Sequence, residues 1–218
     1  PGFVKAAPST LRRHVFPQHP GIAYLGLPAP AADLDWAIRH LCQADTVHYE
    51  PDRLAAVFRA AREAAPPDRV VLISYENFAL HESVDKGLVA ERLAALFPGA
   101  GVLFTIRRQE DLVLSWYLTK LRSLIKRKAF IPFEEWYWSQ GREPHLAIHD
   151  DLRFARIIAA YDRLFGRPAV QVVPFELLRR DPNAFATACA QAIGIDGGSF
   201  AALLHDKREN SAMSQRYF

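Results

Sequence analysis

Apolar residues fall into two kinds of run that alternate along the chain. Short, nearly unbroken runs occur at residues 22–26 (IAYLG), 69–75 (RVVLISY), 101–106 (GVLFTI) and 169–174 (AVQVVP). They are rich in β-branched residues and bounded by breakers such as His19-Pro20-Gly21, Pro66-Pro67 and Pro98-Gly99. This pattern predicts strands, the last three buried on both faces. Between them apolar residues recur every three or four positions, as Leu34, Ile38 and Leu41 do behind a predicted Asp33 cap. Leu54, Val57, Phe58 and Ala61 mark a helix over residues 52–64. Further helices are predicted over 84–96, 110–123, 150–165 and 183–193, with a short helical turn at 200–204. There is no repeat and no low-complexity linker. Strand and helix in alternation imply an α/β fold, and the crossover rule favours a central parallel sheet between helices in a three-layer α/β/α arrangement. One domain over residues 1–218 is expected.

Composition narrows the class. Half the chain is apolar and 11% is aromatic, which suffices for a core and excludes global disorder. A net charge of +3 does not by itself imply nucleic acid. Charge is concentrated locally, however: Lys120, Arg122, Lys126, Arg127 and Lys128 follow one another with no acid between. Such a run suits a solvated face and could also guide a polyanion. The 2 cysteines, Cys42 and Cys189, lie far apart in apolar helical contexts. They are expected as buried free thiols, which fits a reducing compartment and a cytoplasmic protein. Metal-ligand spacing is absent among the 8 histidines, so no metal is expected. No apolar stretch reaches the roughly 20 residues that span a membrane. No signal peptide is apparent, and the start at Pro1 without Met leaves room for an upstream piece.

Candidate chemistry begins at residues 3–19, FVKAAPSTLRRHVFPQH. Gly2-Phe3-Val4 reads as a strand, Lys5-Ala6-Ala7 as a tight turn, and Pro8 as the first residue of a helix carrying Ser9 and Thr10. Helix N-termini present unpaired N–H groups and partial positive charge, so an ammonium and two hydroxyls here would form a phosphate cradle. An ordinary strand-to-helix junction with a surface lysine fits the same residues. A second cluster follows the 101–106 strand, where Arg107 leaves the strand end and Ser115 sits eight residues on. Ser115 shares a helix face with Asp111, so a guanidinium and a hydroxyl can converge on one phosphate. A strand-end arginine with a mid-helix serine is also common in α/β proteins. Ligands of parallel sheets sit beyond the strands' carboxyl ends, where Lys5, Ser74-Tyr75-Glu76, Arg107-Arg108 and Phe175-Glu176 all fall.

Taken together, the two clusters resemble the motifs of sulfotransferases that use 3′-phosphoadenosine 5′-phosphosulfate (PAPS), of the carbohydrate, heparan or bacterial type. Val4-Lys5-Ala6-Ala7-Pro8-Ser9-Thr10-Leu11 stands where that family has strand, Pro-Lys, small residue, Gly-Thr-Thr and helix. Arg107 through Ser115-Trp116-Tyr117 stands in place of its second motif. His19-Pro20, Tyr24-Leu25-Gly26, residues 71–78 (VLISYENF) and the 170–182 segment are similar too, in the same order. The departures are Ala7 for a loop glycine, Pro8 for a threonine and Gln109 for a proline.

The resemblance implies a P-loop-like fold and transfer of a sulfuryl group from PAPS to an acceptor hydroxyl, leaving 3′,5′-ADP, with no metal. In that reading Lys5 is catalytic and binds the donor with Ala6, Ala7, Pro8, Ser9 and Thr10. Arg107 and Ser115 grip the 3′-phosphate, and Lys207 and Arg208 are the nearest match to a late nucleotide loop. Asp35, then Asp33, are its candidate general bases, although both also suit an ordinary helix start; His40 and His48 follow. Trp136, Tyr137 and Trp138 could stack on a sugar, and the acceptor would be a small molecule or glycan. Two other readings remain. One is a weakened sulfotransferase-like domain that binds nucleotide, or an anionic glycan through residues 120–128. The other is a P-loop-like nucleotide kinase, which would need a Gly-Lys-Ser/Thr loop and a magnesium carboxylate that are missing around Lys5.

Overall fold

The computed structural model describes residues 8–79, 85–139 and 148–205. The strand expected at Gly2-Phe3-Val4, and the candidates Lys5, Ala6, Ala7, Lys207 and Arg208, lie outside the described residues. Four strands form from the apolar runs: β1 (Ile22–Tyr24), β2 (Val70–Leu72), β3 (Val102–Ile106) and β4 (Val170–Pro174). All pair in parallel, β1 with β2 from Ile22↔Val70 to Tyr24↔Leu72, and β3 with β4 from Val102↔Val170 to Ile106↔Pro174. Parallel partners need long crossovers, and helices supply them. Helices α2 (Ala32–Gln43) and α3 (Pro51–Glu63) link β1 to β2, and α5 (Gln109–Lys126), α6 (Phe133–Ser139), α7 (Ile148–Asp151) and α8 (Phe154–Phe165) lie between β3 and β4.

The α/β class and the parallel pairing agree with the sequence. A single central sheet is not seen among the described residues, which hold two two-stranded sheets. Between them runs a cavity of about 910 Å³, lined by Val70 through Ser74 on one side and by Gly101, Val102, Leu103 and Thr105 on the other. Val70, Val71 and Leu72, expected to be buried on both faces, are therefore only half-buried. β4 differs from expectation for another reason: it is a sheet edge, and Val172 is 38% exposed while Val173 is buried.

Successive residues of β3 enter different clusters, as the two-residue period of a strand requires. Val102 and Phe104 join Ile38, Leu41, Leu54, Leu112 and Tyr161, from α2, α3, α5 and α8. Leu103 packs with Leu11, Val15, Phe185, Cys189 and Phe200. Those last residues come from the N-terminal helix, α10 (Pro182–Ile193) and α11 (Gly197–Leu204). Acidic caps set several helix starts: Asp85 accepts from Leu88 N–H at 2.8 Å before α4 (Lys86–Leu96), Asp181 from Ala184 N–H at 3.0 Å, and Asp196 from Ser199 N–H at 2.7 Å. α2 departs from this rule. Ala31 holds its cap position and Asp33 lies inside the first turn, so Asp33 is not the cap. The expected 150–165 helix is interrupted between α7 and α8, next to Asp151, which is buried and paired with Lys86 at 2.7 Å.

Candidate functional site

Helix α1 (Pro8–Thr10) passes directly into a π-helical turn, Leu11–Val15, closed by Phe16 N–H donating to Leu11 O at 2.8 Å. In an α-helix residues five apart point roughly 140° away from each other. The wider turn lets Leu11, Val15 and Phe16 all bury in one cluster. Ser9 is half-buried and Thr10 is buried.

Arg12 leaves this turn and its Nη2 meets Glu76 Oε1 at 2.5 Å, with the two side chains only 16% and 15% exposed. Glu76 opens the short turn Glu76–Phe78 just beyond β2. The pair thus ties the first helix to the carboxyl end of β2. Tyr24, at the end of β1, feels both charges: burial lifts its phenol far above the usual range, Arg12 opposes this and Glu76 adds to it. Its hydroxyl donates to Leu27 O at 3.3 Å. Gly26 is fixed by space, because a Cβ there would strike the Tyr24 hydroxyl and lie 2.7 Å from Ser74 O.

The second cluster forms where β3 and β4 end. Arg107 is half-buried, with its guanidinium carbon 5.1 Å from the centre of the Phe175 ring. Burial lowers its pKa, against the pull of Asp111 and Glu176. Glu176, in α9 (Phe175–Arg180), accepts from Arg108 N–H at 3.0 Å and so joins the two strand ends. The Arg108 side chain takes Asp111 Oδ2 at 2.8 Å through Nη2. Ser115 is half-buried on α5, about 9 Å along the axis from Gln109. Its carbonyl accepts the Thr119 hydroxyl at 2.9 Å.

The first helix and the two strand pairs meet at the cavity, where Leu11, Ser74 and Thr105 all contribute to its wall. Asp33 and Asp35 lie apart on the first turn of α2, Asp33 exposed and Asp35 half-buried, and Arg39 holds Asp35 at 2.7 Å. His40 stacks between Trp36 and Tyr49, and His48 binds Asp45 at 2.9 Å. Trp136 is buried, Tyr137 is half-buried, and Trp138 is exposed. Among the described residues no group of three or more His, Cys, Asp or Glu could hold a metal ion. The ion pair of Arg12 with Glu76 was not anticipated. Its signal was an arginine in the turn after the candidate cradle and an acid just past a strand, both at one end of the sheet.

No family model matches the chain, and no curated protein matches it. Among solved structures, the crystal structure of a sulfotransferase from Alicyclobacillus acidocaldarius is similar, with a TM-score of 0.63 and 20% identity. The match covers 90% of this chain and 79% of that one. The chain therefore has a sulfotransferase-like α/β fold.

Proposed function

We propose that the protein transfers a sulfuryl group from PAPS to the hydroxyl of a small-molecule or glycan acceptor. The observation that carries this reading is the cavity between the two strand pairs. Val70–Ser74 and Gly101–Thr105 bound a slot about five residues, or roughly 16 Å, long. The helix that starts at Pro8 lies over its carboxyl end, through Leu11 and the pair of Arg12 with Glu76.

Sulfuryl transfer is an in-line displacement in which positioning and electrostatics dominate. The acceptor oxygen forms a bond to sulfur while the bond from sulfur to the bridging oxygen breaks. Charge moves onto the 5′-phosphate of the departing 3′,5′-ADP. In this reading Lys5 stabilises that charge, and Ser9 and Thr10 hold the 5′-phosphate with Ala6, Ala7 and Pro8 shaping the loop. Pro8 contributes no N–H. Arg107 and Ser115 hold the 3′-phosphate, with Lys207 and Arg208 as further cations, and the mechanism uses no metal. The acceptor proton passes to a carboxylate. Asp35 and Asp33 are candidates from the sequence. Glu76 joins them because it lies at the strand ends with its side chain only 15% exposed, against 36% for Asp35; an arginine engages each, Arg12 the first and Arg39 the second.

Calorimetry with 3′,5′-ADP and 5′-AMP tests the donor site. The wild type should prefer 3′,5′-ADP, and Arg107→Ala should weaken that ligand by about 10- to 100-fold, a charged hydrogen bond being worth roughly 1.5–3 kcal/mol. Binding of 5′-AMP should barely change. Absence of any preference in the wild type would remove the PAPS reading. Preference without measurable transfer would favour the binding-only domain, which the Ala7 and Pro8 departures also favour.

A further inference from the structure

Helix α5 ends in a patch that the sulfuryl-transfer chemistry does not use. From Leu112 to Phe133 the chain carries Lys120, Arg122, Lys126, Arg127 and Lys128 and no acid. All five cations are exposed, and none has an ion pair among the described residues. Large apolar side chains stand among them: Ile125 is 57% exposed and Phe130 is 68% exposed. Arg122, Ile125 and Lys126, at i, i+3 and i+4, share one face of the last turns.

The turn that follows is conformationally costly. Lys128 adopts φ 56°, the left-handed region that favours glycine. It closes the helix with Lys128 N–H on Ile125 O at 3.0 Å and Ala129 N–H on Leu124 O at 2.9 Å, the bond pattern that ordinarily has glycine at this position. A lysine stands there at a cost to folding, and it extends the basic run by one more charge.

We propose that this end of α5, with Phe130, docks on an anionic lipid surface. Cations and apolar groups interleaved on one exposed edge match the interface of such a bilayer, where cations meet the headgroups and apolar groups enter the acyl boundary. An anionic glycan would satisfy the cations but offers nothing to the aliphatic Ile125. Among the described residues no helix is long and apolar enough to cross a membrane, so the contact lies in the interface plane. The inference does not depend on the PAPS reading.

Flotation of the protein with vesicles of phosphatidylcholine alone, or with about 30% phosphatidylserine, tests this contact, with heparin-resin retention measured in parallel. Binding is expected to the anionic vesicles and to be at least tenfold weaker to neutral ones. Lys126→Ser/Arg127→Ser/Lys128→Ser should lose about a hundredfold, near fivefold per cation. Ile125→Ser/Phe130→Ser should lose about tenfold on vesicles while keeping heparin retention. Lys128→Gly guards against misfolding, since relief of the left-handed lysine should raise Tm while vesicle binding falls about fivefold. Equal binding to both vesicle types, or none to either, overturns the proposal. So does an Ile125→Ser/Phe130→Ser variant that floats like the wild type, which would make the patch a polyanion surface. Unchanged vesicle binding by a stabilised Lys128→Gly would also overturn it.

Discussion

Cys42 and Cys189 belong to different buried clusters, and burial pushes both thiols from about 9 up to about 12. In the unfolded chain they ionise near 9, whereas in the folded protein they stay protonated until about 12. Stability is therefore unaffected by them below pH 9 and falls as pH rises through that window. The slope is up to about 1.4 kcal/mol per pH unit for each thiol. Tyr24 and Tyr161, also raised by burial, add to the fall at higher pH. Urea melts between pH 8 and 10 should show this decline, and Cys42→Ala/Cys189→Ala should flatten it even if the variant starts less stable. A wild-type curve flat across that range would contradict it. At this scale the sequence was informative where chemistry follows a strand directly. Arg107 and Glu176 could be assigned to strand ends because hydrophobic runs end beside them. The Arg12 and Glu76 pair joins residues 64 apart, and which partner an exposed-looking arginine takes depends on how the helix seats over the sheet.

Among the elements, the tight approach of β1 and β2 at their carboxyl ends rests on Gly26. A methyl group there meets the Tyr24 hydroxyl and the Ser74 carbonyl, and the carbonyl cannot withdraw without moving the backbone beyond β2. Gly26→Ala should cost about 1–3 kcal/mol in a urea melt, the range for overpacking. Gly197→Ala is the control: an added Cβ has Ala190 Cβ at 3.8 Å, an ordinary contact, and it sits at the start of α11, so it should be neutral or slightly stabilising. Similar losses in both would mean that space at Gly26 is not what matters. Periodicity located the strands and most helices because burial of one face imposes it. It misjudged β2 and β4 because being a cavity wall or a sheet edge depends on neighbours distant in sequence. The break between α7 and α8 has no Gly or Pro to announce it. The start of α2 was displaced because an alanine, not the nearby acid, holds its cap position.

For the whole molecule, the pair of Arg12 with Glu76 ties the first helix to the end of β2 at the cavity between the strand pairs. Glu76→Gln would leave the largely buried Arg12 guanidinium without its counter-charge, and it should lower Tm clearly, since an unpaired buried charge is among the costliest single changes. An unchanged Tm would mean that the pair does not hold the helix in place. The same contact has a consequence for ligand affinity. If seating the first helix is what completes the donor site, every molecule with that helix unseated is unable to bind, and apparent affinity scales with the seated fraction. By linkage, 3′,5′-ADP at about 100 times its Kd adds roughly 2.7 kcal/mol to the seated state. Nucleotide binding and seating of the helix then become one equilibrium measured from two ends, so a substitution beneath the helix weakens the ligand without touching it.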